Sequence, residues 1–116
     1  MHRYRDLEIW KKSRFFCSEI YKVTLFFPNE EKFGLTNQLI RASVSIPSNI
    51  AEGSSRQSNK DFVRFLEIAT SSAYEVETQI LISSNLRFIT PEDLIELTNM
   101  LEEIIKMTSR LRVTLL

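Results

Sequence analysis

At 116 residues the chain is long enough for one domain with a real core, and 43% apolar residues exclude a disordered polymer. Two glycines and three prolines are few for an all-β protein, which needs a turn signal every ~8–12 residues. Lysine plus arginine and aspartate plus glutamate both number 15, so the formal charge is zero, and attraction to a polyanion has to come from a local patch. The single cysteine, Cys17, has no partner for an intramolecular disulfide, which suits a reducing compartment. Charge interrupts the opening MHRYRDLEIWKKSRFF, so no secretory leader is expected, and no run approaches ~18 uncharged apolar residues. The expectation is a cytoplasmic protein without a membrane segment.

The first helix is predicted from an N-cap at Asp6 to about Thr24, with Ile9, Trp10, Ser13, Cys17, Ile20, Tyr21 and Thr24 on one face. Phe15 and Phe16 lie partly off that stripe. Residues 1–24 carry six basic and three acidic side chains, so this region is locally positive. Pro28 forbids simple continuation, and Asn29 is the expected cap of a second helix over about 30–51, with Leu35, Thr36, Leu39, Ile40, Ser43, Ile46 and Ile50 inward. Pro47 removes the hydrogen bond to the Ser43 carbonyl, so the helix is expected to kink there. Gly53 to Ser58 reads as the connection.

Ser58 or Asn59 caps a third helix over about 59–88, whose stripe is Phe62, Phe65, Leu66, Ala69, Ala73, Val76 and Ile80. Ile68, Ile82 and Leu86 fall outside it. Thr90-Pro91-Glu92-Asp93 is an N-cap followed by proline at the first helical position and two acids. The fourth helix then turns Leu94, Leu97, Met100, Leu101, Ile104, Ile105, Thr108, Leu111 and Leu115 inward and Glu96, Glu102, Glu103, Lys106 and Arg110 outward. Four long amphipathic helices with short connections, no strand-period segment and no repeat predict a single-domain, all-α, antiparallel up-down four-helix bundle spanning residues 1–116. The surplus apolar surface on helices one and three predicts burial against other copies of the chain.

The least ordinary stretch is Arg41 to Arg56, RASVSIPSNIAEGSSR. Small residues crowd it, which predicts close approach of two backbones or a bend. Together with DLEIWKK at residues 6–12, FxxFLEIA at 62–69 and EVETQ at 75–79, it resembles one bacterial family of four-helix bundle proteins, the one associated with intervening sequences of 23S ribosomal RNA genes. The accessory variability proteins of diversity-generating retroelements are similar. The resemblance covers nearly the whole chain. It implies an up-down bundle that assembles as a homo-oligomeric ring, commonly a pentamer. For the retroelement branch it also implies a reverse-transcriptase-type protein partner and nucleic acid held on a basic surface. Zero net charge departs from that strongly basic branch.

Catalysis has little to work with. His2 is the only histidine and falls in a terminus expected to fray, and Cys17 sits on the apolar stripe as an inert thiol. Glu75 and Glu77 cannot share a helical face, and neither a Glu-x-x-His motif nor a Gly-rich phosphate loop is present. The reading is therefore non-enzymatic, with no metal, cofactor or small-molecule substrate. The candidate binding residues are basic. Arg56, Lys60 and Arg64 recur every four residues at the start of helix three, and Lys11, Lys12 and Arg14 form a second group. Each group suits phosphates or an acidic partner, or else is a solvated helix face. Arg41, Glu52 and Arg56 bracket the small-residue stretch, either as a phosphate or partner site or as an ion-pair network tying helix two to a neighbour. The leading expectation is an accessory protein binding RNA, DNA or a nucleoprotein; the alternative is a protein-interaction scaffold with no nucleic-acid contact.

Overall fold

Sequence-local signals set each helix boundary in the computed structural model, which describes residues 2–116. A 3-10 turn at Tyr4–Asp6 precedes α1 (Glu8–Thr24). Leu7, not Asp6, occupies the N-cap, and Asp6 instead pairs with Arg3 within the turn. Asn29–Glu31 forms a second 3-10 turn instead of opening a helix, and α2 runs from Leu35 to Ser54. Glu31 caps it from outside, its Oε1 accepting from the Leu35 amide at 3.2 Å. α3 (Asn59–Asn85) is capped by the Ser58 hydroxyl, and α4 (Pro91–Leu115) by the Thr90 hydroxyl, each accepting from the amide three residues on. α3 ends in a Schellman motif: Phe88 N–H donates to Ser83 O and Arg87 N–H to Ser84 O, with Arg87 at φ 63°.

The helices pack in a square. Each touches its neighbours in sequence, α1 closes on α4, and neither diagonal pair makes contact. The α2–α3 seam is the most extensive and α1–α4 the least. The 27-residue α3 accounts for the 43 Å long axis, since a helix rises ~1.5 Å per residue. Phe16, Ile20, Leu39, Ile46, Ile50, Phe62, Leu66, Val76, Ile80, Leu101 and Ile104 fill the centre, and burial of each contributes roughly 1.5–3 kcal/mol. The expected stripes of α3 and α4 are the observed ones. That of α1 is rotated: Phe16 and Val23 are buried and Tyr21 is half exposed, because α1 faces two neighbours and its core face is wider than one seam.

The small-residue stretch does bring backbones together. α2 continues through Pro47 and Gly53 to Ser54, so Gly53 is not the start of a loop. A Cβ on Gly53 would lie 2.5 Å from Phe65 Cβ and 3.0 Å from Phe62 Cδ1, so only glycine permits this approach of α2 to α3. Buried hydroxyls at the seams are satisfied within their own helices: Ser43 donates to Ile40 O, Ser54 to Ala51 O and Ser83 to Gln79 O. Between α2 and α3, Ser45 and Ser72 share a 2.8 Å hydrogen bond, and Asn49 donates to Ser45 Oγ.

Pro47 leaves the Ser43 carbonyl without its helical donor, and α1 supplies a replacement. Cys17 Sγ donates to Ser43 O at 3.1 Å. Burial pushes the Cys17 thiol up to about 11 from 9.0, the Ser43 side chain opposing that shift. The folded value lies above the unfolded one, so the stabilisation is whole below about pH 9 and is lost as pH rises through about 11. Urea unfolding at stepped alkaline pH is expected to show a steeper fall above pH 9 in the natural chain than in Cys17→Ala. Parallel curves would show that the thiol is not held neutral.

Candidate functional site

Charge is distributed unevenly along the bundle. Divided at the helix midpoints, the end that holds both termini (residues 1–16, 45–72 and 103–116) carries eleven basic and six acidic side chains, and the opposite end four and nine. The zero total thus conceals a basic end and an acidic one.

At the basic end the N-terminal segment is strapped down and does not fray as expected. His2 N–H donates to Ser54 O at 3.0 Å, and the His2 ring lies 5.1 Å from that of Phe62. Beside this strap, Arg56 and Arg64 both stack on Phe65, their guanidinium carbons 4.8 and 5.5 Å from its ring centroid. Arg56 precedes α3, so the four-residue spacing does not align it with Lys60 and Arg64 as a helical face; the turn and the Phe65 ring bring the two arginines together instead. Their carboxylate partners are local and loose: Arg56 with Glu52 at 3.8 Å, Arg64 with Asp61 at 3.9 Å, all exposed. Such pairs are worth about 0–1 kcal/mol, so they hold the arginines weakly. Lys60 is exposed and has no ion pair among the described residues.

The α1 group divides. Lys12 reaches across to α4 and pairs with Glu103 at 3.1 Å. Lys11 pairs with Glu8, and Arg14 lies over the Trp10 ring at 5.2 Å. Arg41 is remote from all of them. Along a continuous helix the fifteen residues from Arg41 to Arg56 span about 22 Å, so the expected network of Arg41, Glu52 and Arg56 reduces to the Glu52–Arg56 pair. Arg41 instead borders a small cavity between α2 and α3 with Gln38, Ser45, Ser72 and Glu75. Tyr4, Arg5 and Trp10 also belong to the basic end. Sequence reasoning passed over the first two because they precede the first helix, and it placed Trp10 in the core.

The opposite end has a different character. Leu25, Phe26 and Phe33 stand 80%, 84% and 87% exposed around the α1–α2 connection, while Phe27 turns inward onto Phe88 at 5.5 Å. Phe15, 58% exposed, lies in a groove between α1 and α4 with Met100 and Ile104. No group of three or more His, Cys, Asp or Glu among the described residues is placed to hold a metal, and no described helix is long and apolar enough to cross a membrane.

These features define a square four-helix bundle with one cationic end and apolar patches on its flanks and far end. The model of the 23S rRNA-intervening sequence protein family matches residues 5–110, and the chain belongs to that family. It is similar to a solved structure from Bacteroides thetaiotaomicron, described as a protein with unknown function from the S23 ribosomal protein family. The two share 31% identity and a TM-score of 0.83, over 90% of this chain and 94% of that one. No curated protein matches the chain.

Proposed function

We propose that the protein is a non-enzymatic accessory factor that binds nucleic acid, RNA or DNA, through its basic end and works as a homo-oligomer. The observation that carries this reading is the Arg56–Phe65–Arg64 stack with Lys60 beside it, at the end where basic side chains outnumber acidic ones. An aromatic ring orients both guanidinium planes, and phosphates compete easily with partners as loose as Glu52 and Asp61. The half-exposed Phe15, with Ile68, Leu81 and Ile82 on α3, supports burial against further copies, which would set several basic ends side by side.

Fluorescence anisotropy with a structured RNA hairpin and a duplex DNA, from 50 to 200 mM salt, tests the proposal. Affinity is expected to fall steeply, with a slope of about −0.9 for each duplex phosphate contacted. Arg56→Ala with Arg64→Ala is expected to flatten that slope by one to two phosphates' worth, roughly −0.9 each, while Arg87→Ala at the far end leaves it unchanged. No binding at low salt removes the nucleic-acid reading in favour of a protein-interaction scaffold. Light scattering on the same sample tests the oligomer, and a clean monomer at micromolar concentration overturns that part.

A further inference from the structure

Tyr4, Arg5, Trp10, Lys11 and Arg14 surround an open cleft of ≈480 Å3 where the N-terminal turn meets α1. Its volume falls within the ~300–1,000 Å3 usual for small-ligand sites. The lining is two aromatic rings and three cations, with no carboxylate. Tyr4 and Trp10 meet edge to face at 5.1 Å, Arg14 lies 5.2 Å from the Trp10 centroid, and Arg5 lies 5.8 Å from that of Tyr4. Arg5 and Arg14 have no ion pair among the described residues; Lys11 has the exposed Glu8 at 3.4 Å.

Packing the turn onto the helix accounts for the Tyr4–Trp10 contact alone. It does not account for two arginines that flank these rings without a carboxylate. A π-face beside unpaired guanidinium groups recognises a flat aromatic group joined to an anion, which is the chemistry of an unpaired nucleotide. The cleft also has a continuation. A second cavity, lined by His2, Arg3, Tyr4, Arg5, Ser54 and Ser55, shares Tyr4 and Arg5 with the first and leads to the turn that carries Arg56.

We infer that this cleft is a stacking site for an unpaired base of single-stranded nucleic acid, whose backbone passes over the N-terminal strap toward Arg56. The inference rests on the nucleic-acid reading above and narrows it to single strands. Few groups here read base edges, so recognition is tolerant of sequence.

Trp10 is the only tryptophan and therefore reports on its own cleft. Titration with a 12-nucleotide oligo(A) RNA is expected to quench its fluorescence, whereas a blunt RNA duplex of equal length binds through the basic end without quenching. Tyr4→Ala and, separately, the exposed Arg14→Gln are each expected to weaken oligo(A) binding about tenfold, the usual effect of losing one stacking group. Arg14→Gln leaves the packing of the turn intact and so decides the matter if Tyr4→Ala unfolds. An oligo(dA) arm shows whether RNA and DNA are both accepted. Anisotropy binding of oligo(A) with unchanged Trp10 emission and unchanged affinity in Arg14→Gln overturns the cleft while sparing the nucleic-acid reading. Absence of binding by every probe overturns both.

Discussion

Gly53→Ala is expected to destabilise the bundle by roughly 1–3 kcal/mol, although alanine is the better helix former by about 1 kcal/mol at an unconstrained position. The sign is set by what the new methyl meets. The obstacle at 2.5 Å is Phe65 Cβ, which is fixed to the α3 backbone, so no change of rotamer relieves the clash. The helices have to separate along their most extensive seam, or α2 has to unwind at its end. For a domain of this size the loss corresponds to a fall in Tm of roughly 5–20 °C. Ser48→Ala, at an exposed position of the same helix, controls for propensity and is expected to be neutral or slightly stabilising. A Gly53→Ala protein as stable as the natural chain in urea would mean that the two helices are not in this register.

The second large effect lies six residues earlier. Proline inside a helix ordinarily costs about 3 kcal/mol, from the missing N–H and the clash with the preceding turn. Pro47→Ala is therefore expected to stabilise the protein, by about 1–2 kcal/mol, because part of the cost is already offset by the Cys17 thiol that satisfies the Ser43 carbonyl. The same argument predicts coupling. Cys17→Ala in the natural chain removes a buried group and leaves a carbonyl without a donor, costing about 2 kcal/mol; beside Pro47→Ala the new amide serves that carbonyl, and the cost falls to about 1 kcal/mol. A double-mutant cycle measured by urea unfolding reads the difference directly. Strict additivity would show that the thiol and the carbonyl do not interact.

The contrast between these two sites shows what sequence reveals and what it does not. The α3 stripe, the Ser58 and Thr90 caps and the outward charges of α4 follow from period and local chemistry, and each stands where the pattern puts it. Pro47 identified the Ser43 carbonyl as an orphan, but its donor depends on the register of α1 against α2, which no local pattern records. Gly53 reads as a helix breaker from its neighbours alone; its burial against Phe65 is a tertiary fact. The candidate site divides in the same way. Lys11, Lys12, Arg14, Lys60 and Arg64 were legible as basic groups, yet which of them share a surface was not. Lys12 turns to α4, Arg41 lies about 22 Å from Arg56 along its helix, and the 3-10 turn folds Tyr4 and Arg5 against Trp10. The 3-10 turn is the missing signal, because its three residues carry no periodicity.

The unequal seams also give the bundle a preferred direction of yielding. α2 and α3 are joined by a turn of four residues and interlocked at Gly53, whereas α1 and α4 have no covalent link and meet along the thinnest seam, with an open groove at Phe15. Local opening follows the path that breaks the fewest buried contacts, so α1 parts from α4 before α2 parts from α3. α1 carries Trp10, Lys11 and Arg14, and the α2–α3 hairpin carries Arg56 and Arg64 on a stiffer frame. One half of the cationic surface is thus anchored and the other adjustable, and a chain of uneven contour can be accommodated by a small swing of α1 while the hairpin holds its shape.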